Sequence, residues 1–398
     1  FEEGLWFQSL PLFEQGQPCE AVMAIVRANV REPDQVIGDL YSLTVGNSVG
    51  CTRLVEMMTE FGLSDLDEIS QHIIERSRSA MLDEMAELPR GRWCHEMTVD
   101  GYGEPVTLKA ELQISDEGVS VDFARTSGVS PFGINVPLSY TQAYASFGVR
   151  CVIGSVIPNN AGSLEPIKVT APPGCILNAP RPHAVAVRHV IGQMLPDVVL
   201  GCIDKALPHR APAEGSSSLW NPMMTGGPGL LDGQDYGDAT PFSVTIFHSG
   251  GTGALPWRDG LSATAFPSGV RNTPVEITES IAPVIFHRKE LRPGSGGDGR
   301  YRGGHGQLIE IAHAQGAPFA IFALFDRVDY PARGRNGGTD GAPGVVRLAS
   351  GKTLKTKGKQ IVPAGERLLM ELPGGGGYGD PAERERTLCE RDHDNEID

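Results

Sequence analysis

The stretch SGVRNTPVE (268–276) sets Arg271, Asn272 and Glu276 on one short loop flanked by Gly269 and Pro274. A guanidinium, a carboxamide and a carboxylate this close could hold a substrate carboxylate or amide through paired hydrogen bonds. The same three groups could equally pin the loop by bonding to its own backbone. Asn135 in GINVP and Asn159-Asn160 in IPNNAG carry the same two readings. Asn135, Arg271, Asn272 and Glu276 are the candidate substrate-binding residues.

Other spacings point toward known chemistries and then fall short. Gly294, Gly296 and Gly299 in LRPGSGGDGRYRGGHG satisfy G-x-G-x-x-G. That pattern cradles a dinucleotide pyrophosphate only where a strand leads through the loop into a helix. Upstream, IAPVIFHRKEL is strand-like, but downstream Leu308, Glu310 and Ala312 alternate with Ile309, Ile311 and His313. A period of two predicts a second strand, so the glycine-rich stretch reads as a long turn between strands. SGKT at 350–353 has Val346 where a phosphate loop needs its first glycine, and reads as a tight turn. No G-x-S-x-G elbow occurs, and His95-Glu96 lacks the second histidine of a metalloprotease helix. His183 and His189 in RPHAVAVRH have no carboxylate or third ligand beside them, so a structural or surface role is expected.

These loops must be held by elements whose periodicity is legible. Residues 17–62 read as helical with a break at Pro33 and a stop at Gly62. Ser64 and Asp67 resemble a capping box opening a long helix with Leu66, Ile69, Ile73, Ala80 and Leu88 on its apolar face, ended by Pro89. The period then switches. Val106, Leu108, Ala110, Leu112 and Ile114, the turn SDEG, and Val119, Val121 and Phe123 predict a β-hairpin. Helices are predicted over 138–154 and over 189–207, the latter kinked at Pro196, with short strands in EPIKVTAPPGCIL between them. From about residue 210 glycine-rich loops and short strands take over, among them PFAIFALFDR, GVVRLAS and ERLLMEL, before the irregular PGGGGYGDP. The fold class is α+β, with a helix-rich first half containing the hairpin and a glycine-rich strand-and-loop second half. Residues 1–210 and 211–398 are read as two parts of one domain.

Composition narrows the function classes. With a net charge of −15, the chain lacks the clustered cations that nucleic acid binding requires. Fifty glycines and thirty prolines demand many turns on a structured scaffold. Seven scattered cysteines without a C-x-x-C fit a reduced, cytoplasmic setting better than a disulfide framework or zinc knuckle. No apolar run reaches a membrane span and no signal peptide is apparent, so no membrane role is expected. The sequence opens on FEEGLWFQ and stops at CERDHDNEID, and reads as a piece of something longer.

In order along the chain, the phrases ANVREPDQVIGDL (28–40), GINVPLSYTQA (133–143), IPNNAGSLEPIKVTAPPGCILNAPRP (157–182), PDVVLGCIDKALPHRAPA (196–213), GGTGALPWRDGLSATAFPSGVRNTPVE (250–276), RPGSGGDGRYRGGHGQ (292–307) and PGGGGYGDP (373–381) resemble the hydantoinase B/oxoprolinase family. In that family the glycine-rich stretch is a shared structural loop. The resemblance implies a B subunit, here a fragment, working with a hydantoinase A-type partner that binds ATP and activates a small cyclic amide by phosphoryl transfer. Water then opens 5-oxoproline, a hydantoin or a related lactam at a divalent-metal site of the B subunit. The family's metal ligands, in phrases such as GGTHLPD and HHAD, have no counterpart here; they are expected in an N-terminal segment outside this chain, and none is carried onto any residue. Two alternatives stand beside this hydrolase reading: a subunit of an acetone-carboxylase-like, ATP-dependent carboxylase, and a non-catalytic assembly fragment.

Overall fold

The computed structural model describes residues 7, 9–30, 33–228 and 239–397. A small ladder of β1 (Phe13–Glu14) and β2 (Gln17–Pro18) precedes α1 (Glu20–Asn29) and α2 (Pro33–Glu60). Pro33 sits in the first turn of α2, where its missing N–H has no partner to lose. Met23 and Val26 of α1 pack on Ile37, forming a small separate cluster. Gly62 takes φ +64°, and the Leu63 N–H donates back to the Met58 carbonyl at 2.8 Å, the left-handed stop expected from sequence.

The next helix departs from expectation. No capping box forms at Ser64: α3 (Asp67–Ala86) has Leu66 at its N-cap, and the Asp67 N–H donates to Asp65 Oδ1 at 3.1 Å. Ile69 and Ile73 are exposed, and the buried side chains are Ser77, Met81 and Met85. The apolar spacing correctly marked a helix, but only residues from Ser77 onward reach the protein interior.

The first core is built on one sheet. β3 (Gly91–Tyr102), β4 (Glu104–Ser115) and β5 (Gly118–Asp122) pair antiparallel, and β6 (Ile167–Thr170) joins β5 in parallel. The predicted hairpin is β4–β5, with Ile114 opposite Val119 and Leu112 opposite Val121. Alternation puts Val106, Leu108, Ala110, Leu112 and Ile114 inside. Onto this face pack α4 (Leu138–Arg150) and α7 (Leu195–Ala206), with two four-residue helices, α5 (Ala161–Leu164) and α6 (His189–Gly192), between them. The single kinked helix predicted over 189–207 is therefore two. Pro196 lies in the first turn of α7, the one place where its ring fits a helix without breaking a hydrogen bond.

The second core begins at β7 (Leu219–Trp220), which pairs with β10 (His248–Ser249). One antiparallel sheet consists of β8 (Met223–Gly226), β9 (Phe242–Thr245), β13 (Phe319–Leu324) and β15 (Lys357–Val362). After α8 (Val275–Ile281), a second consists of β11 (Val284–Leu291), β12 (Gln307–His313), β14 (Val345–Leu348) and β16 (Arg367–Glu371). Both contribute to one core around Trp220, which stacks on Phe325 at 4.2 Å. The first core runs from Met81 to Ala211 and the second from Trp220 to Leu372.

The glycine-rich stretch joins the antiparallel neighbours β11 and β12, and no helix follows it. Its glycines serve close backbone approach. A Cβ on Gly251 would lie 1.8 Å from the Gly304 carbonyl oxygen, one on Gly303 1.9 Å from that of Gly375, and one on Gly374 1.8 Å from that of Ser295. Loops from three distant parts of the chain thus interlock main chain against main chain. The final helix, α9 (Arg386–Asp394), is fastened over them: buried Asp392 accepts from Arg302 Nε at 3.2 Å, and Arg384 holds Asp259 at 2.9 Å.

Candidate functional site

The two cores meet where the N-terminal turn of α7 faces the segment 211–220. Asp197, in that first turn, is 1% exposed and is followed by the apolar run Val198–Ile203. Ser217, held at φ +45°, donates its hydroxyl to Asp197 Oδ2 at 2.6 Å. Arg327, also in the left-handed region at φ +64° and 1% exposed, reaches the same oxygen at 3.3 Å and Glu214 Oε2 at 3.2 Å. It donates further to the Gly215 carbonyl at 3.1 Å. Glu214 accepts from Arg333 Nε at 2.7 Å, and Arg333 in turn contacts His95 Nε2 at 3.1 Å. Two buried carboxylates, two guanidiniums and an imidazole therefore form one chain of contacts between the cores.

The surroundings drive the two acids apart. Burial pushes Asp197 up to about 6, although Arg327 opposes the rise. For Glu214 burial also opposes ionisation, but His95, Arg327 and Arg333 together hold it well below the usual carboxylate range. Burial, with the nearby Arg335 and Arg333, lowers His95. Asp197 is the member poised near neutrality, as a proton acceptor must be.

A cavity of about 300 Å³ opens beside Asp197, lined also by Cys151, Arg210, Gly215, Thr252, Trp257 and Arg258. Asp197 Oδ1 accepts no hydrogen bond from the described residues. Arg210 and Arg258, both exposed and without an ion-pair partner among the described residues, line the same cavity as Asp197. Such a cavity suits a small anionic ligand that must also lose a proton. A neighbouring cavity of about 300 Å³, on the outer side of His95, contains charges that satisfy one another, as Lys109 and Glu96 do at 3.0 Å.

Among the described residues no group of three or more His, Cys, Asp or Glu side chains could hold a metal ion. At the junction itself, Arg327 occupies the position between Asp197 and Glu214 that a cation would need. The divalent metal implied by the resemblance does not fit these residues, and no step is derived through it.

The residues singled out from sequence lie elsewhere. Asn135 is fully buried in the first core, its Oδ1 accepting from the Ser130 N–H at 2.8 Å and its Nδ2 donating to the carbonyls of Ser130, Phe132 and Ala184, each at 2.9 Å. Asn272, in the second, accepts from Gln307 Nε2 at 3.0 Å and donates to the Ala263 carbonyl at 3.0 Å. Arg271 is exposed on the loop into α8, and Glu276 is exposed in the first turn of that helix. The structure thus groups Arg271, Asn272 and Glu276 and leaves Asn135 in the other core; none of the four lines the junction cavity. Asn160 forms a full capping box with Ser163 at α5, and His189 Nε2 meets Asn221 Oδ1 at 3.3 Å. Asp197, Glu214, Arg327, Arg333 and His95 escaped sequence reading because their contacts span 20 to 238 residues. The available signal was an aspartate inside the apolar run LPDVVLGCI.

Residues 1–381 match the model of the hydantoinase B/oxoprolinase family. A Pseudomonas sp. (strain NS671) protein named as the B component of a D-/L-hydantoinase is 26% identical, covering 97% of this chain and 67% of its own. The 5-oxoprolinase of Dictyostelium discoideum is 27% identical over 95% of this chain, which spans only 29% of that protein. Among solved structures, the ATP-dependent caprolactamase of Pseudomonas jessenii superposes with a TM-score of 0.87 at 23% identity, covering 99% of this chain and 70% of that one. A nucleotide-free acetone carboxylase follows at 0.79 and 16%, covering 96% and 58%. No helix among the described residues is long and apolar enough to cross a membrane.

Proposed function

The chain belongs to the hydantoinase B/oxoprolinase family, and we propose that it forms the body of a B-type subunit in an ATP-dependent enzyme that opens a small cyclic amide. The observation that carries this reading is the junction cavity, which Asp197, its pKa raised to about 6, lines together with Arg210 and Arg258. An unstrained lactam is a poor electrophile. Phosphorylating its oxygen with ATP, on an A-type partner subunit, gives a negatively charged imidate phosphate; water adds at its carbon, the ring C–N bond breaks as the nitrogen takes a proton, and the acyl phosphate so formed is hydrolysed to carboxylate and phosphate. Arg210 and Arg258 are placed to hold that charge, and Asp197 to take the proton from an attacking water while Ser217 and Arg327 fix its carboxylate. The metal of the family reading would be supplied by residues outside those described. Substrates of the 5-oxoproline, hydantoin or caprolactam class fit a cavity of about 300 Å³.

A carboxylase is the second reading, favoured by the superposition on acetone carboxylase. The experiment is ATP-dependent turnover of 5-oxoproline and hydantoin by this chain co-expressed with an A-type partner, beside incorporation of labelled bicarbonate into acetone. Asp197→Asn should lower kcat by roughly a hundredfold or more, as removal of a general base does. Arg258→Ala should raise KM more than it lowers kcat. Ring opening indifferent to both variants would remove the cavity from the mechanism. Labelled carboxylate formation would assign the second reading, and no turnover with intact partner binding would leave an assembly role.

A further inference from the structure

The sequence of α2 does not support a lone helix in water. It contains Gly38, Gly46 and Gly50, and no charged residue occurs from Leu40 to Thr52. A mid-helix glycine costs roughly 1 kcal/mol relative to alanine, and Thr44, Val45, Val49 and Thr52 add to the penalty. Stability must come from packing, yet α1 covers only the side carrying Val36, Ile37 and Leu40. From Val45 to Glu60 every residue except Met58 is exposed. Eleven of the 23 exposed large apolar side chains among the described residues fall between Tyr41 and Ile74.

The face of α2 turned away from α1 is centred on Gly46 and reads alike in both directions. Counting outward from Gly46, Leu43 and Val49 lie three residues away, Ser42 and Gly50 four, and Asp39 and Arg53 seven. Offsets of three, four and seven share one helix face. Leu43 is 67% and Val49 53% exposed, and a Cβ on Gly46 or Gly50 would meet no atom within 4 Å. If a second α2 ran antiparallel across a two-fold axis at Gly46, Leu43 would meet Val49, Ser42 would meet Gly50, and Asp39 would meet Arg53, twice over. Apolar faces apolar, small faces small, and acid faces base, which is the self-complementarity an isologous contact needs. At about 42 Å, the 28-residue helix presents a long exposed face to such a partner.

We propose that this chain pairs with a second copy of itself through α2, antiparallel about Gly46. The test is sedimentation equilibrium on the 398-residue chain, with circular dichroism to confirm folding of each variant. The wild type should be a dimer. Asp39→Arg and Arg53→Asp should each weaken it by roughly ten- to a hundredfold, because each turns two attractive pairs into repulsive ones. The double variant D39R/R53D should recover most of the loss. With the exposed Cys51, Cys94, Cys151 and Cys389 changed to Ser, Gly46→Cys should give a disulfide-linked dimer on mild oxidation. A wild-type monomer would overturn the proposal. A dimer insensitive to both charge reversals and to Gly46→Trp would place the interface elsewhere.

Discussion

Glycine does opposite work in two regions of this molecule. In the interlock of loops 250–253, 295–306 and 373–378, a carbonyl oxygen of another loop lies about where a Cβ would be. In α2, Gly38, Gly46 and Gly50 have nothing within 4 Å. The first region uses glycine to bury backbone against backbone, and its geometry is complete within one chain. The second bears the cost of glycine in a helix without a contact that uses it. Composition alone makes the two look alike, and only the surroundings separate them.

The sharpest way to break that contrast is Gly251→Ala. With a carbonyl oxygen 1.8 Å away and no flexible side chain to yield, the effect should exceed the 1–3 kcal/mol of ordinary overpacking and abolish cooperative melting of the second core. Next comes Arg327→Met at the junction, which leaves Asp197 and Glu214 buried without their shared cation. A loss of about 3–5 kcal/mol in chemical denaturation is expected.

Asp197 adds a pH signature. Its folded pKa near 6 lies above the ordinary aspartate value near 3.9. Between those limits the folded chain holds a proton that the unfolded chain has released, so this group's contribution is present at low pH and lost as pH rises through 6. Asp197→Asn should therefore compare better with the wild type at pH 7 than at pH 4, by roughly 2–3 kcal/mol. A difference independent of pH would mean that Asp197 titrates normally.

Smaller still, Asn135→Ala should cost about 1–3 kcal/mol, since it strands the buried groups that its amide satisfies. Arg271→Ala, on the exposed loop, and Glu276→Ala, in the exposed first turn of α8, should each stay within about 0.5 kcal/mol. At the far end, Gly38→Ala should change sign and raise stability by up to about 1 kcal/mol, because α2 gains propensity and meets no obstacle.

What the sequence disclosed follows the range of the interactions involved. The β4–β5 hairpin, the strand after the glycine-rich loop and the Gly62 stop are local matters of period and dihedral, and each is where the residues indicate. Ile69 and Ile73 misled because spacing reports amphipathicity and not depth. Pro196 misled because a proline begins a helix as readily as it bends one. The loop asparagines were legible as polar groups, but whether an amide faces a ligand or its own backbone depends on neighbours such as Ala184, 49 residues from Asn135. The junction network was hidden for the same reason, with Arg327 reaching back 130 residues to Asp197.

The placement of two tryptophans gives the protein its own optical reporters. Trp220 is fully buried, stacked on Phe325 with its indole N–H donated to the Asp326 carbonyl at 3.1 Å, whereas Trp257 stands 58% exposed at the mouth of the junction cavity. Emission from the first should shift to longer wavelength only when the second core opens, while emission from the second should respond to an occupant of the cavity in the folded chain. With the other two tryptophans, Trp6 and Trp93, changed to Phe, fluorescence can therefore separate ligand binding from unfolding in one unlabelled sample.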